Sequence, residues 1–375
     1  MREVYIIGGL RTHIGLKNGM FRHISAEMLG AALLDAVIKK YGVPDRFICA
    51  NAVGGGGNIA RLIARTAGHD LPSLTVDSQC ASGLDAVRTA ATEISAGICD
   101  CIICGGAESA STQPIREYNP NHPDYGRRLS ENRIRYMTAK FSEKEHEEDT
   151  MLRAAENTAK IYGIHREDTD RFVIDSHMRA SNARCRDYIA DIIHPVFGSE
   201  HDEGIRENMN RRLLGRVRPV LDGGSVITAA NSCLINDGAA FLFLCSEEYA
   251  KKHSLLPAAK IIGFADAAVE PMLAPTAAVS VVRSLTEKYG KADCMEVNEA
   301  FALIDLLIER EIQDMRGYNI FGGALAYGHP YGASGAVILL HLLKALERTG
   351  GKTGFAAIAA AGGLGSGIAI EGMTA

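Results

Sequence analysis

Leu74-Thr75-Val76-Asp77-Ser78-Gln79-Cys80-Ala81-Ser82-Gly83-Leu84-Asp85-Ala86-Val87 passes from an apolar run through a short polar turn into a small-residue helix start. The spacing predicts a strand over 74–77, a helix over 81–96 and a further strand over 100–105. Strand, helix and strand in succession make the unit of a layered α/β fold built on crossover connections. The alternation extends outward on both sides. Towards the N-terminus it gives a buried strand at 4–8, a helix at 25–41 with Ser25 as N-cap, and a helix at about 58–67 after the glycine run Gly54–Gly57. Beyond the middle of the chain it gives strands at 239–245 and 260–265, a helix at 276–289, a strand at 295–297, helices at 300–313 and 334–348, and a strand at 355–360. The uncharged tract 353–370 holds too many glycines for a membrane span and reads as two glycine-joined buried strands.

The stretch from about Gln113 to Leu221 differs in character. It is polar and charged, with an acidic cluster (Glu143, Glu145, Glu147, Glu148, Asp149) and a basic one (Arg206, Arg211, Arg212, Arg216, Arg218). It reads as a mostly helical excursion from an α/β core. Outside it the two ends of the chain echo one another. Cys80-Ala81-Ser82-Gly83 leads through a helix and a strand to Gly105-Gly106, and Gly332-Ala333-Ser334-Gly335 leads the same way to Gly362-Gly363. A duplicated unit would bring both Ser-Gly helix starts around one pseudo-twofold axis, facing a single central site.

Composition bounds the function. The chain has 375 residues, 47% of them apolar and 23% charged, with a formal charge of −5. That content supports one large or two ordinary globular domains and excludes intrinsic disorder. The charge gives no basic field for nucleic acid or an anionic membrane. Nine cysteines, an odd number without a scaffold spacing, point to a reduced, cytoplasmic setting, and the N-terminus lacks a long apolar signal region.

Several residues have a pattern that carries chemistry. Cys80 stands at a helix N-terminus, where the macrodipole favours a thiolate, among small neighbours that let a substrate approach. The alternative is an inert buried cysteine. His329 lies in the glycine-rich turn Gly328-His329-Pro330 before a helix, exposed at a cleft as a base for the Cys80 proton, or else satisfied by loop carbonyls. Asn298, in Asn298-Glu299-Ala300-Phe301, either caps a helix or holds a water or carbonyl oxygen. Cys99, Cys101 and Cys104 are too tightly spaced for a metal site and read as core. The arginines from Arg206 to Arg218 either form a solvated face or clamp the phosphates of a nucleotide-tailed ligand. Gly54–Gly57 lacks the Lys-Ser/Thr of a phosphate-binding loop, and nothing supports ATP, a dinucleotide or a metal.

Taken together these segments resemble the thiolase family nearly end to end. Arg11-Thr12-His13-Ile14-Gly15 is similar to the family's opening motif, and Asn58-Ile59-Ala60-Arg61 with Asp77–Gly83 to its nucleophile region. Gly105-Gly106-Ala107-Glu108-Ser109, the run from Thr228 to Ala240, Asn298-Glu299-Ala300-Phe301 and Gly328-His329-Pro330 follow in the family's order. The resemblance implies a five-layered α-β-α-β-α core from two similar halves. These are 1–116 plus 236–262, and 263–375, with a coenzyme A-binding loop domain at 117–235. It also implies a homodimer or homotetramer, acyl-CoA as substrate and no permanently bound cofactor. The implied chemistry is ping-pong acyl transfer. Cys80 takes the acyl group with His329 as its base, the backbone N–H groups of Cys80 and Ala361 hold one oxyanion, and His329 with an Asn298-held water polarises the other thioester oxygen.

The sequence departs from the family at informative points. Ala359 stands where the C-terminal motif Cys-x-Gly-Gly-Gly-x-Gly has a proton-transferring cysteine, and Ala361 replaces the motif's first glycine. Losing a positioned acid/base costs about 10²–10⁴-fold. Thr150-Met151-Leu152 stands where the family has His-Met-Gly. Cys233 stands at a usual serine near the pantetheine arm, where it is either a substitute acid/base or a coenzyme A contact. Three activities follow as expectations. The first is a thiolase-type enzyme that makes or cleaves 3-oxoacyl-CoA. The others are an acyltransferase or thioesterase without the carbon–carbon step, and an idle coenzyme A-binding subunit.

Overall fold

The computed structural model describes residues 2–137, 140–142 and 150–373. Its strands in chain order are β1 Val4–Arg11, β2 Gly15–Leu16, β3 Arg46–Ala50, β4 Ser73–Val76, β5 Cys101–Ser109, β6 Arg116–Glu117, β7 Arg135–Tyr136 and β8 Asn236–Ser246. The series ends with β9 Ala259–Ala268, β10 Cys294–Val297, β11 Thr353–Ala360 and β12 Leu364–Gly372. The helices of the first half are α1 Ala26–Tyr41, α2 Ile59–Thr66 and α3 Ser82–Ser95. The middle excursion holds α4 Tyr125–Ser130, α5 Thr150–Ile161, α6 Arg166–Ser181, α7 Ala183–Ile189 and α8 Arg211–Leu214. Then come α9 Glu247–Lys252, α10 Thr276–Tyr289, α11 Ala302–Ile312, α12 Ala324–Tyr327 and α13 Tyr331–Thr349.

The duplication shows in the strand order. One half runs β4-β3-β5-β8-β1, and the other runs β10-β11-β12-β9, with Tyr318 bridging in parallel to Met295 where a fifth edge strand would lie. In both halves the outer strands pair in parallel and the inner ones antiparallel. The halves join edge to edge where β1 pairs with β9, at Tyr5–Lys260 and Ile6–Ala259. Helices α3 and α13 fill the space between the two half-sheets, while α1 and α2 cover one outer face and α10 and α11 the other. The result is the five-layered arrangement. Three apolar cores hold the layers together, the central one, around α3 and α13, built from residues such as Leu84, Val87, Ile102, Leu242, Leu339 and Ile358.

The two Ser-Gly helix starts do meet. A Cβ on Gly83 would lie 2.7 Å from the Gly332 carbonyl oxygen and 2.9 Å from the Gly335 nitrogen, so only glycine lets α3 and α13 cross this closely. Local signals explain some element ends. Asn58 caps α2 by accepting from the Arg61 N–H at 3.2 Å, and Gln313 ends α11 in the left-handed region. Ser25 precedes α1 without a side-chain cap bond. Strand β1 runs to Arg11, past the expected end at Gly8, because Gly9 lies flush against the β8 backbone at Phe241 and Leu242. Contrary to the mostly helical expectation, the middle excursion is, in its described residues, largely loop between α4–α8, with β6 and β7 pairing as a small two-stranded sheet across α4. Its acidic cluster lies outside the described residues.

Candidate active site

Cys80 is delivered by a strained turn. After the edge strand β4, Gln79 adopts φ 56°, a left-handed conformation that costs a non-glycine residue about 1–2 kcal/mol. Local hydrogen bonds hold it there. Asp77 accepts from the Gln79 N–H at 2.9 Å, and Ser82 Oγ accepts from the Ser78 N–H at 2.7 Å and donates to the Gln79 carbonyl at 2.5 Å. The Cys80 sulfur faces two backbone N–H groups, its own and that of Ala361, and keeps a partly accessible face. Ala361 stays outside the left-handed region, while Gly362 and Gly363 take φ 84° and 79°, so the two glycines absorb the turn that presents the Ala361 amide.

The expectation that the helix terminus yields a ready thiolate is corrected here. Burial pushes the Cys80 thiol up to about 12 against the opposing pull of the two amides. A helix terminus contributes about 0.3–1 kcal/mol, less than one pKa unit of about 1.4 kcal/mol. Desolvation wins, and the resting group is a thiol.

His329 is 1% exposed, not displayed at a cleft edge as its glycine-rich turn suggested. The segment leaving the middle excursion folds over it. Its N–H donates to the Leu234 carbonyl at 3.2 Å and to Asn236 Oδ1 at 2.9 Å, and Gly328 turns the chain at φ 100°. Nδ1 pairs with Ser334 Oγ at 2.6 Å, while Nε2 is buried with no partner among the described residues. Burial lowers the imidazole to about 3, so it is neutral at physiological pH. When Nδ1 carries the proton and donates to Ser334, the Nε2 lone pair is free to accept one.

Asn298 does not cap α11, whose N-cap is Phe301. Its backbone N–H donates to Ala357 at 3.0 Å, and its Nδ2 is buried without a partner among the described residues. A buried donor and a buried acceptor left open are what a bound water or carbonyl oxygen would satisfy. Cys233 has its N–H tied to the Ala300 carbonyl at 2.9 Å, and its thiol, raised by burial, lies within electrostatic reach of the Cys80 thiol. Ala359 is 3% exposed in β11, opposite Gly365.

Sequence reasoning missed three members of this centre. Ser334 is one, placed inside the first turn of α13 because that helix begins at Tyr331, three residues before the expected start. Tyr331 is the second, its ring edge-on to the His329 ring at 5.1 Å between centroids. The third is Glu108, fully buried at the end of β5. It accepts from Asn51 Nδ2 at 2.7 Å and from the N–H groups of Ala52, Val53 and Gly332 at 2.9, 3.1 and 3.0 Å. One carboxyl thus pins the glycine loop to the start of α13. A buried glutamate in the glycine-rich run Gly105–Ser109 was the available signal.

The other candidate groups stay apart. Cys101 and Cys104 are buried on opposite faces of β5, and Cys99 lies just before that strand against the central core. Among the described residues no three His, Cys, Asp or Glu groups gather as a metal site. Arg206, Arg211, Arg212, Arg216 and Arg218 are all exposed, and Arg206 lines a groove of about 470 Å³ that Ala230, three positions before Cys233, also lines. Among the described residues no helix is long and apolar enough to cross a membrane.

Residues 4–248 match the family model described as the thiolase N-terminal domain, and residues 255–372 match the thiolase C-terminal domain. The chain belongs to the thiolase family. It is a thiolase-type acyltransferase that acts on coenzyme A thioesters. It is 35% identical over 400 residues to the beta-ketoadipyl-CoA thiolase of Pseudomonas putida, with 99% of this chain and 100% of that one covered. Among solved structures it is similar to the Bacillus anthracis acetyl-CoA acetyltransferase, with a TM-score of 0.88, 29% identity and 100% and 99% of the two chains covered. It is also similar to human mitochondrial 3-ketoacyl-CoA thiolase, with a TM-score of 0.86, 27% identity and 99% of each chain covered.

Proposed function

We propose that Cys80 carries the acyl group in a ping-pong exchange between coenzyme A thioesters, with His329 as its proton acceptor. The observation that carries this reading is the pair of N–H groups, from Cys80 and Ala361, aimed at the sulfur. In this reading they donate to the oxyanion that forms when the sulfur adds to a carbonyl. Thiol and imidazole are both neutral at rest, so the Cys80 proton passes to His329 Nε2 as the sulfur attacks. His329 and an Asn298-held water polarise the second thioester, and both contribute atoms with no protein partner among the described residues.

The segment 117–235 serves as the coenzyme A-binding loop domain, with the exposed arginines near the groove meeting the phosphates and Cys233 touching the pantetheine arm. The assembly is a homodimer or homotetramer in the cytoplasm. Ala359 favours one second reading, an acyltransferase or thioesterase that forms the Cys80 adduct without a carbon–carbon step. Incubation with acetyl-CoA followed by intact-mass measurement tests these readings. An acetyl adduct absent from Cys80→Ala, together with acetoacetyl-CoA cleavage, is the expected result. An adduct that only hydrolyses favours the second reading, and no adduct overturns both.

A further inference from the structure

We propose that the Tyr331 hydroxyl supplies the proton transfer for which Ala359 has no group. The inference rests on the reading of Cys80 as the acyl carrier. Tyr331 is the first residue of α13, two positions after His329, and its N–H donates to the His329 carbonyl at 2.9 Å. Its ring stands edge-on to the imidazole, 5.1 Å between centroids at 78°. The phenol lies within electrostatic reach of Cys233, Cys80 and Glu108. Among the described residues the hydroxyl makes no hydrogen bond, and the residue keeps a partly accessible face. A phenol oxygen beside a nucleophile usually has a partner. This one is free to meet a substrate atom.

The chemistry closes in the cleavage direction. Sγ of Cys80 bonds to the 3-oxo carbon of a 3-oxoacyl-CoA and its proton goes to His329. The bond between C2 and C3 breaks with its electron pair on C2, giving the enolate of acetyl-CoA. Tyr331 donates its hydroxyl proton to C2 and is left as a phenolate. An incoming coenzyme A thiol gives its proton to that phenolate, and the thiolate attacks the acyl-Cys80 ester. Sγ leaves and regains its proton from His329. Condensation runs the same steps backward. Burial raises the phenol above its ordinary value, so it waits protonated, and once ionised it is a stronger base than a cysteine thiolate. Cys233 shares the neighbourhood, but its backbone is fixed to Ala300 in an apolar wall.

The test uses trideuteroacetyl-CoA with the full-length chain and follows two signals: the acetyl adduct on Cys80 by intact mass, and loss of deuterium from the methyl group into water. In Tyr331→Phe the adduct still forms, while exchange and acetoacetyl-CoA thiolysis fall by about 10²–10⁴-fold. Ala359→Cys in the Tyr331→Phe background brings exchange back. Exchange and thiolysis within about threefold of the parent in Tyr331→Phe, against a loss of at least about 10²-fold expected for an acid/base group, overturn the proposal. So does equal loss of adduct and exchange, which assigns Tyr331 to positioning His329. No adduct in the parent chain marks failure of the Cys80 reading itself.

Discussion

Ser334 Oγ lies 2.6 Å from Nδ1 of His329, a contact between residues five positions apart across the start of α13. The hydroxyl fixes the ring's orientation and leaves Nε2 as the open nitrogen. Ser334→Ala leaves Nδ1 without that partner in a buried setting. Acyl-enzyme formation should slow about tenfold, the equivalent of one net hydrogen bond. Rapid-quench mass analysis of the Cys80 adduct checks this, with an unchanged rate as the contrary result.

The Gly83 contact leads to a packing prediction. Gly83→Ala puts a methyl group 2.7 Å from the Gly332 carbonyl, which is main chain and cannot swing aside. The variant should lose about 1–3 kcal/mol of stability. A denaturant titration reads the change, and a midpoint equal to the parent's would contradict the close crossing of α3 and α13.

Alkylation of Cys80 should be slow at neutral pH and accelerate steadily. With the thiol raised to about 12, the thiolate fraction grows about tenfold per pH unit between pH 7 and 10. Iodoacetamide labelling of Cys80, followed by peptide mapping, should therefore show no plateau near 8.5, the value of a free thiol. A plateau at or below that pH would mean that His329 holds the proton at rest.

His341 gives a stability prediction with a definite sign. Burial, reinforced by Arg11 and opposed by Asp202, lowers its imidazole to about 3. The unfolded chain takes up a proton near pH 6.5 that the folded chain refuses until about pH 3. Its contribution to stability is therefore complete above about pH 6.5 and is lost as the pH falls towards 3. His341→Gln removes this proton uptake. Relative to its own value at pH 7, the variant should lose about 3 kcal/mol less than the parent on going to pH 4. Parallel denaturant series at the two pH values measure the difference.

Much of the architecture was legible because it is written in local signals. The polar turn at Asp77–Gln79 and the small residues after Cys80 announce a strand-to-helix switch, and the Ser-Gly echo announces the duplication. Cys80 and His329 could be singled out because both stand at helix starts in unusual turns. Apart from Ser334 and Tyr331, which the earlier start of α13 brings beside His329, what escaped depends on contacts between distant residues. The depth of His329 is set by Leu234 and Asn236, nearly a hundred positions away. Glu108 gathers donors from 51–53 and from 332, which no window of sequence contains. The cost of ionising Cys80 is likewise a property of its assembled surroundings, so a helix-terminus rule taken alone gave the wrong sign.

The meeting of Gly83 with Gly332 and Gly335 has a consequence for divergence. At that junction peptide groups rest on peptide groups, so the spacing of the catalytic helices is inherited from main-chain dimensions common to every sequence. Outer helices can exchange residues freely without disturbing this gauge. Substrate preference is then free to drift through the excursion and the walls around Cys80, while the reaction centre keeps its measurements.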